Sequence, residues 1–257
     1  MKLEGKVIVV TGGGSGIGRA MALRFQRERP RALVIADLDG KRAEEVAREV
    51  GGVGLACDVS REAEVQRLVR AVEDRAGPID LFCANAGIAI GGGIETPEAD
   101  WDRIWRVNFL SHLWAARALV PGWLERKSGY LLHTASAAGL LTMVGALPYS
   151  VTKHSVVALA EWLAITYGER GIKISCLCPL FVNTPLLTGA LTELGGKSVI
   201  AAGTVIEPPE VAEAVAAGLD AEKFLILPHA DVLTYFQRKA ADYDRWLAGM
   251  RRLQALV

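Results

Sequence analysis

The sequence has no excess of charge, because 29 lysines and arginines balance 29 aspartates and glutamates over 257 residues. A nucleic-acid-binding protein usually carries a basic surface, so this balance argues against such a partner. Long apolar runs are also missing. The most apolar long stretch, residues 135–147, is interrupted by Gly139 and Gly145 and is too short to cross a bilayer. The sequence therefore predicts no membrane segment and favours small, roughly neutral partners.

Metal-binding and disulfide patterns are absent as well. The four cysteines (Cys57, Cys83, Cys176 and Cys178) lie in apolar, strand-like runs without Cys-x-x-Cys or zinc-ligand spacing. We interpret them as buried, reduced thiols. The histidines at positions 112, 133, 154 and 229 lack convergent ligands, and we interpret each as structural or as a surface residue. No metal is predicted.

The beginning of the chain has no room for the apolar region of a signal peptide, because the strand-like run at residues 7–10 follows almost at once. The expected location is the cytoplasm. No linker rich in proline or serine divides the chain. With 51% hydrophobic residues and 27 glycines, its length suits one large α/β domain or two small ones.

Short apolar runs and longer helical patterns alternate along the chain. The runs predicted as buried strands are residues 6–11, 32–36, 53–57, 81–84, 130–134, 173–178 and 224–227. The helical patterns lie near residues 16–28, 40–50, 61–75, 100–125, 149–169 and 209–219. This alternation specifies a mostly parallel sheet with helices on both faces. Ligands of such sheets collect at the carboxyl ends of the strands.

The first strand end carries a glycine-rich turn at residues 11–18. Gly12 permits a tight turn, Gly16 lets the backbone approach a pyrophosphate, and Gly18 lets the next helix pack closely. The spacing Gly-x-x-x-Gly-x-Gly is not the commoner dinucleotide pattern, and such a turn can be purely structural. Its place between the first strand and the first helix favours a phosphate site at the helix N-terminus. The predicted cofactor contacts here are Gly12, Ser15, Gly16, Ile17 and Gly18.

Asp37 closes the second predicted strand. A carboxylate there can accept hydrogen bonds from both adenosine ribose hydroxyls and would repel the 2′-phosphate of NADP, so NAD is favoured. The contrary signal would be a basic residue at position 15 or 38, but these positions hold Ser15 and Leu38. Lys41 and Arg42 are interpreted as solvated charges on the next helix; the alternative is that one of them weakens the preference for NAD.

Two later strand ends add further candidate cofactor contacts. Asp58, followed by Val59, could place a carboxylate at the adenine amino group or could cap the next helix, and the sequence leaves both open. Asn85, Ala86 and Gly87 follow the fourth strand. Their small size lets the backbone run beside a cofactor, although alone they would be an ordinary turn.

Tyr149 and Lys153 are four residues apart on a predicted helix, so both can point into one cleft. A cation held ~4 Å from a phenol at an effective dielectric of ~20 favours the phenolate by about 4 kcal/mol, or roughly 3 pK units. The pair alone is common on ordinary amphipathic helices. Together with the strand-end motifs, it indicates acid–base chemistry.

These motifs, with Asn108 and Ser136, stand in the order and at the spacing of the short-chain dehydrogenase/reductase family, which the chain resembles from about residue 6 to residue 184. The resemblance implies a single-domain, Rossmann-like, doubly wound parallel sheet of about seven strands over residues 1–230. Residues 231–257 would be a C-terminal helical extension of that domain. The implied activity is NAD(P)-linked redox chemistry on an alcohol or a carbonyl group.

The resemblance also implies a role for each member of the catalytic set. Tyr149 would be the general acid/base, and Lys153 would lower its pKa and bind the nicotinamide ribose. Ser136 would donate a hydrogen bond to the substrate oxygen. Asn108 would hold a water next to the lysine and complete a proton relay.

The chain departs from the family pattern after the sixth strand. Leu180 follows Pro179 where the family usually has glycine, and we expect a changed backbone there because glycine alone tolerates positive φ cheaply. Val182 and Thr184 still match the residues that grip the nicotinamide carboxamide.

The tail is the second departure, since the chain continues from Asp231 into a long helix-prone segment. We expect it to pack on its own core; the alternative is a flap over a substrate pocket or a partner subunit. An intermittent apolar stripe is predicted at Phe236, Ala240, Tyr243, Leu247, Met250 and Val257.

If the family placement holds, the substrate pocket is apolar and suits a hydrophobic secondary alcohol or ketone. Its predicted contacts are Leu140, Leu141, Met143, Leu180, Phe181, Leu186 and Leu187, beside Ser136 and Tyr149. Residues 181–184 and 208–209 are also similar to hydroxyprostaglandin dehydrogenases, which oxidise lipid alcohols. The alternatives are an NADPH-preferring carbonyl reductase, an NAD-binding protein without catalysis, and a methyltransferase, which would not require the pair Tyr149 and Lys153.

The resemblance further implies a homodimer or a homotetramer. In this family, the helices corresponding to residues 100–125 and 149–169 usually pack across a two-fold axis. The aromatic residues expected to supply buried area there are Trp101, Trp105, Trp114, Trp162 and Tyr167.

Overall fold

The fold was analysed in a computed structural model that describes residues 1–188 and 204–255. Seven strands form its main sheet: β1 (Val7–Thr11), β2 (Ala32–Asp37), β3 (Val53–Ala56), β4 (Leu81–Ala84), β5 (Gly129–Thr134), β6 (Ile172–Leu177) and β9 (Leu225–Ile226). Two shorter strands pair beside it, β7 (Phe181–Val182) and β8 (Val205–Ile206).

Helices connect these strands. In chain order they are α1 (Gly16–Gln26), α2 (Gly40–Val50), α3 (Glu62–Ala76), α4 (Glu98–Trp105), α5 (Ser111–Arg126), α6 (Ala138–Leu141), α7 (Leu147–Tyr167), α8 (Pro208–Asp220), α9 (Ala230–Ala241) and α10 (Tyr243–Gln254). A π-helical turn (Arg106–Leu110) joins α4 to α5, and a 3₁₀ turn (Gly168–Arg170) follows α7.

The strand order is β3-β2-β1-β4-β5-β6-β9, and every adjacent pair is parallel. The chain therefore winds one way from β1 to β3 and the other way from β4 to β9. The neighbouring ends of β1 and β4 form the switch point, where a crevice opens in sheets of this kind. The predicted Rossmann-like doubly wound sheet with a C-terminal helical region is confirmed.

Both faces of the sheet are buried except at the edge strand β3, where Val53 is 42% exposed. Val7 and Val9 pack into one apolar core, and Ile8 and Val10 pack into the other. Strands covered on both sides read as continuous apolar runs, which is why their positions could be predicted to within one or two residues. Trp114 also lies in the first core at 6% exposure, so its predicted contribution to a subunit interface is wrong.

Local capping sets several helix ends. The Asp39 carboxylate accepts hydrogen bonds from the backbone N–H groups of Lys41 and Arg42 at the start of α2, and Gly51 ends the helix at a φ of +63°. At the start of α8, Glu207 and Glu210 form a reciprocal capping box.

Two predicted helices differ from those observed. The pattern over residues 100–125 is divided by the π-helical turn, which contains Asn108. The tail forms two helices, because Asp242 takes an extended conformation (φ −154°, ψ 93°) and its side chain caps α10 through Arg245. The break changes the phase of the helix faces, since a stripe counted through one continuous helix loses its register.

The predicted apolar stripe on the tail is therefore wrong in most of its members. Phe236, Tyr243 and Leu247 are 36%, 56% and 45% exposed. Met250 does face the protein, and Val257 lies outside the described residues. Within residues 1–188 and 204–255, no helix has the length and apolar character to span a membrane.

A buried histidine pair joins α5 to β5. His112 and His133 are both fully buried, and their Nδ1 atoms lie 2.9 Å apart. One Nδ1 carries a proton and donates it in a hydrogen bond to the other Nδ1, so the accepting ring is neutral. Burial lowers the pKa of His133 to about 3 and that of His112 well below its usual value, with His133 adding to the shift of His112. Both are structural, as expected.

This pair should make the protein sensitive to acid. At pH values between the folded pKa and the unfolded pKa of ~6.5, these histidines are protonated in the unfolded chain but not in the folded chain. The free energy of unfolding should therefore fall with decreasing pH by up to about 1.4 kcal/mol per pH unit for each histidine. Urea denaturation at about pH 7 and about pH 5 measures this slope. His112→Phe/His133→Leu should show a shallower slope, and an equal slope in both proteins would contradict the prediction.

Candidate active site

A cavity of about 980 Å³ runs along the carboxyl ends of the strands. The sheet brings to it residues that follow β1, β2, β3, β4, β5 and β6. Every cofactor and substrate contact predicted above lines this cavity except Leu140, which is buried in the core at 5% exposure. Leu140 is therefore a wrong prediction. Asn108 is fully buried behind the wall.

The glycine-rich turn places the start of α1 against the cavity. Gly12 and Gly16 have left-handed φ values of +62° and +51°. A Cβ on Gly18 would lie 2.1 Å from the carbonyl oxygen of Gly12, so only glycine lets α1 begin this close to β1. The Ser15 side chain does not cap the helix, which leaves its first amides for a ligand. This arrangement suits a phosphate.

Asp37 ends β2 at the rim of the cavity. Its Oδ2 accepts the Gly14 N–H at 2.9 Å, and its Oδ1 accepts the Asp39 N–H at 3.1 Å. A carboxylate has about four lone-pair sites, so acceptor capacity remains for hydroxyl groups. Leu38 next to it is 74% exposed, and Arg42 forms an ion pair with Asp39 at 3.4 Å.

Asp58 does not cap α3, so that alternative is wrong. The N-cap position belongs to Arg61. The Asp58 carboxylate instead accepts from the backbone N–H and the hydroxyl of Ser60, at 3.0 and 2.6 Å. This local turn holds Asp58 and Val59 at the cavity wall.

Asn85 ties together the ends of three strands. Its Nδ2 donates to the carbonyl oxygen of Thr11 at 3.0 Å, and its Oδ1 accepts from the Thr134 hydroxyl at 3.1 Å. The Thr11 hydroxyl oxygen in turn accepts from the N–H groups of Asn85 and Ala86. Gly87 follows, and a Cβ there would lie 3.5 Å from Lys153 Nζ, so its bare backbone leaves space in front of the lysine.

The predicted catalytic side chains meet where α7 passes the end of β5. Lys153 is 3% exposed, and its Nζ donates to the Thr134 carbonyl oxygen at 2.9 Å. The same Nζ lies 5.7 Å from the centre of the Tyr149 ring. Ser136 follows β5 and is oriented by hydrogen bonds to Ala138 N–H and the Pro179 carbonyl oxygen, at 3.1 and 3.4 Å. A hydroxyl, a phenol and an ammonium thus share one end of the cavity.

Burial dominates the acidity of this group. Burial raises the pKa of Tyr149, and a hydrogen bond from the Ser136 hydroxyl partly opposes this rise. Burial also lowers the pKa of Lys153 to about 8. The lowered Tyr149 pKa expected from the sequence rested only on the attraction between ammonium and phenolate. Removal of both groups from water opposes their charged forms, and this effect determines the direction of both shifts.

Asn108 lies in the π-helical turn and is held by the loop after β4. Its Oδ1 accepts the Ile88 N–H at 2.8 Å, and its Nδ2 donates to the Ile88 carbonyl oxygen at 2.9 Å. A further contact joins Nδ2 to the Thr152 hydroxyl at 3.4 Å, beside Lys153. The side chain thus connects the strand-end loop to α7.

His229 holds the backbone at Leu180, the position where the chain departs from the family pattern. The Leu180 N–H donates to His229 Nδ1 at 3.1 Å, and Nε2 donates to the Phe181 carbonyl oxygen at 3.0 Å. The two bonds require the neutral Nε2–H tautomer. Leu180 is not among the residues with positive φ, so the leucine adopts a backbone conformation that does not require glycine. His229 is therefore structural, and its two backbone contacts could not be predicted because they join residues about 49 positions apart in the chain.

The C-terminal helices close the cavity on the side of α6, the helix that follows Ser136. Tyr235 and Arg238 from α9, and Trp246, Met250 and Leu253 from α10, line the wall. Lys239 fixes α9 in place, since its buried Nζ donates to the Leu140 carbonyl oxygen at 2.6 Å. Of these residues the sequence analysis named only Met250.

Comparisons with known proteins agree with this geometry. Residues 6–194 match the family model described as short chain dehydrogenase. The chain is 32% identical to 1-deoxy-11-beta-hydroxypentalenate dehydrogenase of Streptomyces exfoliatus, over 90% of this chain and 86% of the relative. It is 33% identical to meso-2,3-butanediol dehydrogenase of Serratia marcescens, over 84% of this chain and 88% of the relative.

A solved structure of a short-chain dehydrogenase/reductase from Burkholderia phymatum, in complex with NAD, superposes with a TM-score of 0.85 at 28% identity, covering 95% of this chain and 96% of that one. The chain belongs to the short-chain dehydrogenase/reductase family. It is therefore an oxidoreductase of a family that uses a nicotinamide cofactor and acts on small alcohols or ketones.

Proposed function

We propose that this protein is an NAD-dependent oxidoreductase that interconverts a hydrophobic secondary alcohol and its ketone, with Tyr149 as the general acid/base. The observation that carries the proposal is the meeting of Tyr149, Ser136 and Lys153 at one end of a cavity whose other end holds the glycine-rich turn and Asp37. A non-catalytic NAD-binding protein would need only that second end.

The residues present fit a nicotinamide dinucleotide. The uncapped start of α1 suits the pyrophosphate, Asp37 retains acceptor capacity for ribose hydroxyls, and Gly87 leaves space in front of Lys153. Pro179, Val182 and Thr184 line the opposite wall. When bound, the nicotinamide supplies or accepts the hydride.

The side chains of this protein would manage the proton. In the oxidative direction the Tyr149 oxygen accepts the hydroxyl proton of the alcohol, and in the reductive direction it returns that proton to the carbonyl oxygen. The Ser136 hydroxyl donates to the substrate oxygen as negative charge develops on it. The buried Lys153 ammonium stabilises the phenolate and sustains the Tyr149 role despite burial.

Asn108 supports this arrangement as a positioning residue. Its side chain is already paired with the backbone of Ile88, so it holds the loop that faces Lys153. The water-holding role implied by the family resemblance stays a prediction.

The preference for NAD is supported by the surroundings of Asp37. No basic side chain replaces Leu38, and the nearby Arg42 is engaged by Asp39. A 2′-phosphate would therefore face the Asp37 carboxylate with no free cation from position 38 or 42. An NADPH-preferring carbonyl reductase is the disfavoured alternative.

A homodimer is proposed as the minimum assembly. On α7, Val151, Trp162 and Ile165 are 37%, 56% and 84% exposed. Such a group of apolar side chains on a long helix suits burial against a second copy. We also propose that residues 231–257 belong to the same domain, because α9 is anchored on α6 by Lys239.

The acid/base role can be tested with Tyr149→Phe, which deletes only the hydroxyl. Turnover should fall by ~100-fold or more, the contribution typical of a positioned acid or base, while NADH binding persists. Tyr235→Phe is the matched control, because it removes another phenol from the same cavity and should retain turnover. Absorbance at the nicotinamide band and NADH fluorescence give the two readouts. A Tyr149→Phe variant with more than about a tenth of wild-type kcat would refute the assignment.

Cofactor choice gives a second test. NAD should be preferred over NADP by at least about tenfold in kcat/KM, or ~1.4 kcal/mol, through repulsion at Asp37. Asp37→Ala combined with Leu38→Arg should reverse the order. Glu45→Ala removes a charge from the exposed face of α2 and should leave the preference unchanged. Equal use of both cofactors by the wild type would be incompatible with this role of Asp37.

The proposed interface can be tested by charge insertion. Ile165→Asp should convert the assembly to a smaller species in light scattering, because a charge buried in an interface is desolvated without a partner. Leu233→Asp, on the outer face of α9, is the matched control at a residue 46% exposed. A wild type that is monomeric, or an Ile165→Asp variant of unchanged mass, would contradict the prediction.

A further inference from the structure

The substrate end of the cavity lies at a defined side of the sheet. α9 and α10 follow β9, which is the edge strand next to β6, whereas Asp37 ends β2 near the opposite edge. α9 also packs on α6, the helix directly after Ser136. Side chains of α9 and α10 therefore face the Ser136 and Tyr149 end, away from the groups that suit adenosine.

One charged residue stands out on this wall. Four of the five side chains that the two helices contribute are aromatic or aliphatic, and the fifth is Arg238. In the part of the chain that the structure describes, the Arg238 guanidinium makes no ion pair or hydrogen bond. The neighbouring Lys239 is buried, and its Nζ donates a hydrogen bond to the Leu140 carbonyl oxygen. Arg238 is thus a cation available to a ligand.

The other charged groups along the cavity are mostly occupied. Asp37 and Asp58 accept backbone N–H groups at the opposite end. Asp102 and Arg106 form an ion pair at 2.8 Å, and Lys153 is bonded to Thr134. No carboxylate lines the wall formed by α9 and α10 in the described range. The substrate end therefore offers a positive group and apolar surface.

We propose that the natural substrate is an apolar alcohol or ketone with a carboxylate remote from the reacting carbon, and that Arg238 binds this carboxylate. The inference rests on the proposed function and names its substrate class. A guanidinium presents parallel N–H donors that match a carboxylate bidentately, and such charge-assisted bonds are strong and directional. The apolar side chains that line the cavity beside Arg238 would hold the carbon skeleton. Arg238 itself is solvent-exposed, so the carboxylate sits at the mouth of the cavity.

Pairs of probes that differ only in the carboxylate measure its contribution to substrate recognition. Medium-chain oxo acids with the ketone next to the terminal methyl group are compared with their methyl esters, using NADH and the full-length protein. The wild type should favour the acid by roughly tenfold in kcat/KM, mainly through KM. In Arg238→Gln this ratio should fall towards one, and Arg238→Lys should keep part of it.

Two matched variants test the assignment to Arg238. Arg245→Gln removes the same charge from α10 outside the cavity, and it should retain the acid preference. Arg103→Gln removes the other cavity-lining arginine without an ion pair among the described residues, which lies on α4, and it should retain the preference too. Loss of the preference in Arg103→Gln, with retention in Arg238→Gln, would overturn the proposal.

A binding measurement makes the inference independent of turnover. Acid and ester are titrated into the Tyr149→Phe protein loaded with NADH, and NADH fluorescence is followed with and without Arg238→Gln. Tighter binding of the acid that depends on Arg238 supports the proposal, and equal binding of acid and ester overturns it. If the protein turned over acid and ester with equal kcat/KM, the role of Arg238 would be refuted but the proposed function would stand. Failure to turn over any probe or neutral ketone with either cofactor would count against the proposed function.

Discussion

Hydrogen bonds among Thr11, Asn85 and Thr134 hold the ends of β1, β4 and β5 together, and the rest of the site depends on them. They fix the switch point at which the two halves of the sheet diverge. The glycine-rich turn leaves from one of these ends, and Lys153 is bonded to the carbonyl oxygen of another. The start of α1, proposed to bind phosphate, and the proposed catalytic lysine are thereby held in one rigid frame.

The proposed chemistry needs charged groups at a buried site that disfavours charge. Burial raises the pKa of Tyr149 and lowers that of Lys153, so each charged form is disfavoured alone. In the proposed mechanism, the ammonium would stabilise the phenolate more strongly in this poorly solvated place than it would in water. The Ser136 hydroxyl assists by lowering the Tyr149 pKa. Such a group favours moving a proton over holding a permanent charge.

The second half of the cavity is assembled from parts that are distant in the chain. His229 holds the backbone after β6 through hydrogen bonds to both Leu180 and Phe181. Lys239 brings α9 onto α6 and so sets the wall that contains Arg238. The proposed substrate end is accordingly shaped by the tail, whereas the proposed cofactor end is shaped by strand-end loops.

How far sequence reasoning reached depended on the range of the interactions involved. The buried strands were predictable because a strand covered on both faces must be apolar throughout, and the glycine turn and Asp37 were predictable because they directly follow such strands. The pairing of Tyr149 with Lys153 follows from helical spacing.

The sequence by itself thus determined the parallel sheet, the order of its motifs and the residues at its carboxyl edge. Only the tertiary structure decided the break at Asp242, the clamp by His229, the anchor by Lys239 and the direction of the Tyr149 pKa shift. These features arise from contacts between segments far apart in the chain and from the removal of charges from water. Neither leaves a periodic trace in the sequence.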